Sequence, residues 1–428
     1  MSTESPEERR GSARARRRSA GSLRVPGGQE RAARQGSLRE HNLSLVLAEV
    51  MDAPRPVSRA DVSVATGLTR ATVSALVDRL LTAGLVAELE PVAAQRAGRP
   101  AVPLVPAPRS VAAVGMEVNV DYLGVRAVDL AGGVISERIE RGDFRGSDPE
   151  SVLDRLAELA GGVLALLSSS GMRIAGTALA LPGLVDRVTG PLRLAPNLGW
   201  RDVDVVALMT RHPVLAGLPP RLANEANLAA RAEAHARRGA AGESFLYVSG
   251  EIGIGGAIVL DGEIFAGRHG WSGEIGHIVL GSTGSFDEGG TLERYAGQDA
   301  LMDGAGIPRE LGLRALVAAA DAGEPAATAT LARAGQALGL ALANVVNVVD
   351  VAEIVLGGTY HRLIEHLREP MLAQLERRVL AAPWSRISVS AAQAGDYPAM
   401  TGGAIAVLRL LVADPSAWAA GPLDESAE

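Results

Sequence analysis

The sequence predicts an α/β fold in which a small helical unit with a β-hairpin precedes a larger body of two lobes. Near the N-terminus, apolar residues recur with helical spacing three times and are followed by two strand patterns. Farther along, two strand patterns flanking a turn occur twice, each time followed by alternating helix and strand patterns. Such a duplication predicts two lobes with a cleft between them.

Charge is distributed unevenly along the 428 residues, whose formal net charge is −7. Residues 1–109 carry 17 arginines against 11 acidic residues, whereas the remainder carries 25 against 38. A basic N-terminal part on an acidic body is typical of a protein that meets a polyanion at one end. The absence of cysteine excludes disulfides, catalytic thiols and cysteine-ligated zinc. No apolar run reaches the roughly 18 residues of a membrane span, so we expect a cytoplasmic protein.

Three helices are predicted after an Arg-rich tail at residues 1–36, which has too few apolar residues to order. The first helix has its apolar face at residues 43–50 and stops before Pro54. Ser58 and Asp61 form a capping-box pattern for the second, and the third starts near Thr69.

A basic turn at residues 92–100 lies between two strand patterns, residues 85–91 and 101–105. Three helices and a basic hairpin predict a winged helix-turn-helix over residues 37–108, which places its third helix in the major groove of double-stranded DNA. The predicted DNA-binding residues are Arg59, Thr69, Arg70, Thr72, Arg96 and Arg99. A winged helix that binds protein, with ordinary solvated arginines, is the alternative.

Residues 99–109 are Pro-rich and are also typical of a semi-rigid linker. The body is predicted over residues 109–414, with an antiparallel meander first, a helix over about 149–169 and a hairpin turn at Asp261 and Gly262. Residues 415–428 are predicted to be a frayed tail.

Seven segments of the body carry a resemblance to a known family. They are LPGLVD (181–186), APNLGW (195–200), LANEANLAARAE (222–233), SGEIGIGGAIVLDG (249–262), GEIGH (273–277), GGTLERYAG (289–297) and IVLGG (354–358). In this order they resemble the ROK family of repressors and sugar kinases, specifically its branch with an N-terminal winged helix. The resemblance implies a two-lobed actin-like, hexokinase-type domain that binds a sugar between its lobes.

The resemblance also implies which residues hold the sugar, and polar groups of this kind suit hydroxyls that both donate and accept hydrogen bonds. They are Asn197, Asn224, Glu225, Glu274, His277 and Glu293. The alternatives are surface carboxylates for Glu274 and Glu293, a helix cap for Asn224 and a packed histidine for His277.

Departures from the family pattern argue against phosphoryl transfer. The family's phosphate loop, D-x-G-G-T, is replaced by residues 117–121, where Val120 is expected to block backbone approach and Asp121 to repel phosphate. The second loop carries Glu251, and Glu225 stands where kinases have an aspartate base. The family's zinc cysteines align with Gly284, Phe286 and Thr291, so neither zinc nor another cofactor is expected.

The sequence therefore predicts a sugar-responsive, DNA-binding transcriptional regulator, most simply a repressor that is not an enzyme. Its expected partners are an operator DNA and a small sugar, and the family implies a homodimer or a dimer of dimers. Two alternatives remain open: an ATP-dependent sugar kinase with an accessory DNA-binding domain, and a constitutive DNA binder that has lost its ligand.

Overall fold

A computed structural model describes residues 35–90, 102–239, 243–281 and 290–419. The chain divides into two units, residues 1–39 and residues 40–428. Of the first unit, only residues 35–39 are described, and they are helical. No helix of the described part is long and apolar enough to cross a membrane. All sites discussed below lie in the second unit.

The N-terminal elements form the predicted winged helix-turn-helix. They are α1 (Gln35–Asp52), β1 (Val57–Ser58), α2 (Arg59–Thr66), α3 (Arg70–Thr82), β2 (Val86–Glu88) and β3 (Pro103–Pro106). Ser58 and Asp61 make the predicted capping box at the start of α2, and Gly67 ends that helix in the left-handed region at φ 71°. The strands pair antiparallel in the order β1-β3-β2.

The predicted linker is part of this sheet. Strand β3 pairs with both β1 and β2, and Leu104 at its centre is fully buried. Prolines are tolerated here because their missing N–H groups occur at the ends of a short strand. The linker prediction is therefore wrong for residues 103–106, whereas the returning strand of the hairpin is confirmed.

The first lobe is built on a five-stranded sheet in the order β11-β7-β4-β5-β6. Its elements are β4 (Val111–Val118), β5 (Tyr122–Asp129), β6 (Val134–Arg141), α4 (Pro149–Ser169), β7 (Arg173–Leu181), β8 (Leu184–Val185), β9 (Leu192–Ala195), β10 (Trp200–Val203), α5 (Val205–Met209), α6 (Pro213–Ala216), β11 (Arg221–Asn224) and α7 (Glu225–Ala236). The meander β4-β5-β6 is antiparallel, and β7 and β11 run parallel to β4 and to each other, as α/β connections require.

The second lobe repeats this plan with the strand order β14-β13-β12-β15-β16. Its elements are β12 (Phe245–Gly250), β13 (Ile254–Leu260), β14 (Glu263–Ile264), α8 (Glu293–Ala296), α9 (Gln298–Gly304), α10 (Gly312–Asp321), α11 (Pro325–Val349), β15 (Glu353–Gly358), α12 (Thr359–Arg378) and β16 (Ser388–Ala391). The chain then returns to the first lobe through α13 (Pro398–Ala413) and ends its described part with α14 (Ser416–Ala419). The predicted duplication is present.

Helix α14 departs from the predicted frayed tail. The Arg173 guanidinium carbon lies 5.2 Å from the centroid of the Trp418 ring, which fixes this turn beside the first-lobe sheet. The predicted N-terminal tail lies outside the described residues up to residue 34, and α1 already begins at Gln35.

Helix α13 makes the closest backbone contacts of the body. A Cβ atom added at Gly402 would lie 1.7 Å from the carbonyl oxygen of Leu228 on α7. One added at Gly115 on β4 would lie 1.8 Å from the carbonyl oxygen of Met400. Only glycine allows helix backbones to approach this closely, so these two positions set how α13 packs.

Gly402→Ala is expected to lower the free energy of unfolding by at least about 1–3 kcal/mol, since the new methyl group must displace backbone. Gly162→Ala is the matched control, because Gly162 also lies within a helix but has no atom within 4 Å of an added Cβ. The control is expected to raise stability by about 0.5–1 kcal/mol. Chemical denaturation measures both values, and equal stability of the two variants would contradict the packing argument.

Candidate functional site

The candidate DNA-binding surface begins at the N-terminus of α3. Thr69 is the N-cap, and its hydroxyl accepts from the backbone N–H of Thr72 at 3.2 Å and contacts the Thr72 hydroxyl at 2.9 Å. Both threonines thereby shape the helix start. Arg70 is the first helical residue and is exposed. Of these three predicted contacts, Arg70 has the side chain that is freest to reach DNA.

Arg59 has partners inside the winged helix. Its guanidinium pairs with Asp78 on α3 at 2.8 Å and with Glu88 on β2. These contacts join α2 to both neighbouring elements, so a phosphate would have to compete with two carboxylates. Arg96 and Arg99 on the predicted wing lie outside the described residues.

The polar cleft between the lobes gathers several of the predicted sugar residues. Glu293 Oε2 accepts from the backbone N–H of Ile254 at 3.2 Å. A Cβ added at Gly253 would lie 3.0 Å from Glu293 Oε2 and 3.1 Å from Asn197 Nδ2. The two side chains therefore converge on one glycine of the second loop, beside an open cavity of about 610 Å³ that both line.

Glu274 precedes a short 3₁₀ turn next to this group, and His277 is the last residue of the turn. The turn spans Ile275–His277, and a Cβ added at Gly276 would lie 3.3 Å from Glu293 Oε2. Burial raises the pKa of Glu274, the nearby His277 lowers it, and the Glu293 carboxylate raises it further. Glu274, His277 and Glu293 thus share one electrostatic environment.

Asn224 and Glu225 stand at the N-terminus of α7. Asn224 Oδ1 accepts from the N–H groups of Ala226 and Asn227 at 2.9 and 3.2 Å, and Asn224 Nδ2 donates to the carbonyl of Gly183 at 3.0 Å. Asn224 is therefore the helix cap that the sequence left as an alternative. Its Nδ2 has one further N–H to offer a ligand.

Glu225 belongs to a cluster of four carboxylates from three segments of the chain. Burial raises its pKa well above the ordinary value, and the Glu117, Glu251 and Asp121 carboxylates add to the rise. Burial also raises the pKa of Glu251 to about 8 and that of Glu117 to about 7. Glu117 is 3% exposed, and its Oε2 has no hydrogen-bond partner. We name these four residues the cleft carboxylates.

Two arginines that the motifs do not contain face the cleft carboxylates. Arg141 Nη1 donates to Asp121 at 3.4 Å, and the Arg362 guanidinium lowers the pKa of Glu251. Both arginines line an interlobe cavity of about 440 Å³ together with Tyr397, whose φ is 53°. Arg141 pairs with Tyr122, the residue after Asp121, across the β5-β6 hairpin, and this register brings its guanidinium to Asp121.

Val120 does not act as the sequence predicted. Its side chain is 5% exposed and packs in the first-lobe core, so it does not project into the cleft. Asp121, by contrast, is exposed at the cavity. Repulsion of a phosphate would therefore come from the carboxylates and not from a bulky loop residue.

The described residues contain no group of three or more His, Asp or Glu side chains arranged to hold a metal ion. Gly284 and Phe286, which align with two of the family's zinc cysteines, lie outside the described residues. Thr291 lies within them and pairs with Val279 in an isolated β-bridge. The backbone thereby supports the segment that precedes Glu293.

Glu251→Gln is expected to flatten the pH dependence of stability. Because the folded state raises the pKa of Glu251 from 4.5 to about 8, it holds a proton that the unfolded state releases in this window. Stability of the wild type therefore falls as pH rises from about 4.5 to 8, by up to about 1.4 kcal/mol per unit of pKa difference, and the amide removes this contribution. Denaturant unfolding at about pH 5, 6.5 and 8.5 measures the slope.

Glu158→Gln serves as the control for that experiment. Glu158 is exposed on α4, pairs with Arg155 at 2.6 Å and is not one of the cleft carboxylates. The control is expected to keep the wild-type slope. Equal slopes for wild type and Glu251→Gln would show that Glu251 does not take up a proton on folding.

Comparisons with known proteins agree with this architecture. Residues 147–409 match the ROK family, and residues 44–97 match the MarR family. The chain is 27% identical to a putative xylose repressor from Caldicellulosiruptor sp., over 88% of this chain and 98% of that protein. It is 25% identical to a glucokinase from Streptomyces coelicolor, over 68% of this chain and 97% of the glucokinase.

A solved structure described as a ROK family transcriptional regulator, homolog of the E. coli MLC protein, superposes with a TM-score of 0.71. The superposition covers 88% of this chain and 97% of that one at 25% identity. The family match, the winged helix and the two-lobed body lead to one conclusion: this chain belongs to the ROK family and carries an N-terminal DNA-binding domain of the helix-turn-helix type.

Proposed function

We propose that this protein is a sugar-responsive, DNA-binding transcriptional repressor. The observation that carries the proposal is that the winged helix and helix α13 of the body share one buried apolar cluster, which includes Leu47 and Val77 on one side and Val407 and Leu411 on the other. A DNA-reading element and a ligand cleft in one compact unit fit a sensor. Relatives named xylose repressor support the same function.

Sugar is the ligand class that best fits the cleft. Asn197 and Glu293 converge beside Gly253, and Glu274 and His277 stand next to them. Carboxylate and amide groups match the donor and acceptor pairs of a sugar ring, and an apolar ligand would leave them unpaired. Asn224 caps α7 directly before Glu225, and its remaining Nδ2 N–H is available to donate to a sugar hydroxyl.

The electrostatics of the cleft favour a sensor that has no kinase activity. A general base must be ionised, and burial together with the neighbouring carboxylates raises the pKa of Glu225 well above its ordinary value, which disfavours the ionised form. Asp121, which is exposed at the interlobe cavity, would also repel the phosphates of ATP. The kinase alternative is supported by the similarity to glucokinases. In a kinase, Arg141 and Arg362 would be the cations that face the phosphates.

The proposed regulator acts as a homodimer on an operator with two half-sites, since winged helices of this type pair across the two-fold axis of their DNA. Sugar binding would move the two DNA-reading helices away from the half-site spacing. A coupling of about 1–3 kcal/mol between sugar and DNA, or about 5- to 150-fold in affinity, would suffice for regulation.

Arg70→Ala is expected to weaken specific DNA binding about 5- to 150-fold, because an arginine at the start of α3 would contact base edges. Titrations of labelled DNA from upstream of the protein's own gene, against DNA of scrambled sequence, measure the specific and non-specific affinities. Arg314→Ala, on α10 of the body, is the control and should leave both unchanged. An equal loss on both DNAs would refute base contact by Arg70.

Neutral sugars are expected to raise the melting temperature of the wild type and to lose this effect in Asn197→Ala and Glu293→Gln. A ligand that binds only the folded state at about 100 times its Kd adds about 2.7 kcal/mol of stability. Thermal shift across a panel of pentoses and hexoses, D-xylose included, makes the measurement. Leu166→Ala, an exposed residue of α4, controls for general damage.

The same panel separates the three functions. No shift with any sugar would favour the constitutive DNA binder. Phosphorylation of a stabilising sugar from radiolabelled ATP, well above that of Glu225→Ala, would favour the kinase. Stabilisation without phosphorylation is the expected result.

A further inference from the structure

Helix α7 connects the cleft to the DNA-binding domain. Its N-terminus carries Asn224 and Glu225, and its C-terminus is followed by Arg238. Twelve residues of α-helix span about 18 Å, so one rigid element has one end in each functional region. A ligand that shifts Asn224 or Glu225 would therefore displace Arg238 as well.

Helix α13 makes a second connection over about 24 Å. Tyr397 precedes it at the interlobe cavity, and Val407 and Leu411 near its C-terminus belong to the apolar cluster shared with the winged helix. Glu233, fully buried on α7, accepts from the N–H groups of Gln393 and Ala394 at 2.7 and 2.9 Å. This contact ties α7 to the loop from which α13 starts.

Asp52, the last residue of α1, meets the C-terminal parts of both helices. Arg409 of α13 forms a two-pronged pair with it, at 2.9 Å to Oδ2 and 2.8 Å to Oδ1. Arg238 lies 3.2 Å from Asp52 Oδ1 and also donates to the carbonyl of Met51 at 3.5 Å. A Cβ added at Gly239 would lie 3.2 Å from the Pro54 ring, so the backbone there touches the end of α1.

The two connections differ in their chemistry. The contact of α13 with the winged helix combines a buried apolar core with the Arg409–Asp52 pair and a hydrogen bond from the Ser44 hydroxyl to the carbonyl of Val412 at 2.8 Å. The described contacts of the segment after α7 with the winged helix run through Arg238, Gly239 and the Asp52 carboxylate. Burial lowers the pKa of Arg238, repulsion by the Arg409 guanidinium lowers it further, and the Asp52 carboxylate offsets part of this effect. Removal of this one carboxylate would release Arg238.

We infer that Asp52 is the positioning residue through which the sugar cleft acts on the DNA-binding domain, with Arg238 carrying the movement of α7 and Arg409 holding the carboxylate in place. This inference rests on the proposed function. It assigns the junction of α1, α7 and α13 a role in coupling that is separate from sugar contact and from DNA contact.

Asp52→Asn tests the inference, because the amide keeps the shape of the side chain and removes its charge. The measured quantity is the ratio of DNA affinity without and with D-xylose, or with another sugar that stabilises the wild type. This ratio is expected to fall by at least about threefold toward one. Sugar affinity of the DNA-free protein is expected to stay within about twofold of wild type, which a merely structural defect would not preserve.

Asp321→Asn is the matched control, since Asp321 also forms an exposed pair, with His366 at 2.9 Å, but joins α10 to α12 inside the body. Its ratio should equal that of the wild type. Asp52→Glu keeps the charge and should restore most of the coupling. Arg238→Gln removes only the connection from α7 and should lower the affinity ratio as Asp52→Asn does. If Asp52→Asn fails to fold, this variant tests the inference in its place.

The possible outcomes distinguish a failure of this inference from a failure of the proposed function. A sugar-responsive wild type with an unchanged ratio in both Asp52→Asn and Arg238→Gln would overturn the role of the junction and leave the proposed function intact. A wild type that binds DNA with an affinity that no sugar changes would overturn both the inference and the proposed function.

Discussion

The packing of α13 between α7, the first-lobe sheet and the winged helix is the constraint on which the rest of the structure depends. Gly402 and Gly115 let backbones approach to distances that a side chain would prevent. Helix α13 returns the chain from the second lobe to the first and also supplies the apolar surface on which the winged helix packs. One helix thereby joins all three parts of the second unit.

The cleft that this packing frames is rich in carboxylates. Glu117, Asp121, Glu225 and Glu251 come from both lobes, and burial together with mutual repulsion raises the pKa of three of them. Carboxyl groups that hold protons near neutral pH can donate hydrogen bonds to a sugar but are poor general bases. The same electrostatics that disfavour phosphoryl transfer are therefore compatible with ligand binding.

Much of the fold could be predicted from local sequence. The Ser58–Asp61 capping box, the helix over residues 149–169 and the Asp261–Gly262 turn lie where their patterns placed them, since each depends on residues a few positions apart. The linker prediction failed at residues 103–106 because proline content was given more weight than the pairing of a short strand that has a partner on each side. The prediction of the sugar-binding residues depended on family resemblance. The structure brings Asn197, Glu274, His277 and Glu293 close together, and Asn224 caps helix α7.

The sequence by itself determined the elements, the order of the motifs and the presence of Glu117, Asp121 and Glu251 at the two turns. Only the tertiary structure decided which charges meet. Asp52 and Arg409 are 357 positions apart, and Arg141 reaches Asp121 through the register of a hairpin. The physical reason is that pKa values and ion pairs depend on burial and on neighbours in space, which no periodicity along the chain encodes. The junction at Asp52 exists because three helix ends converge there.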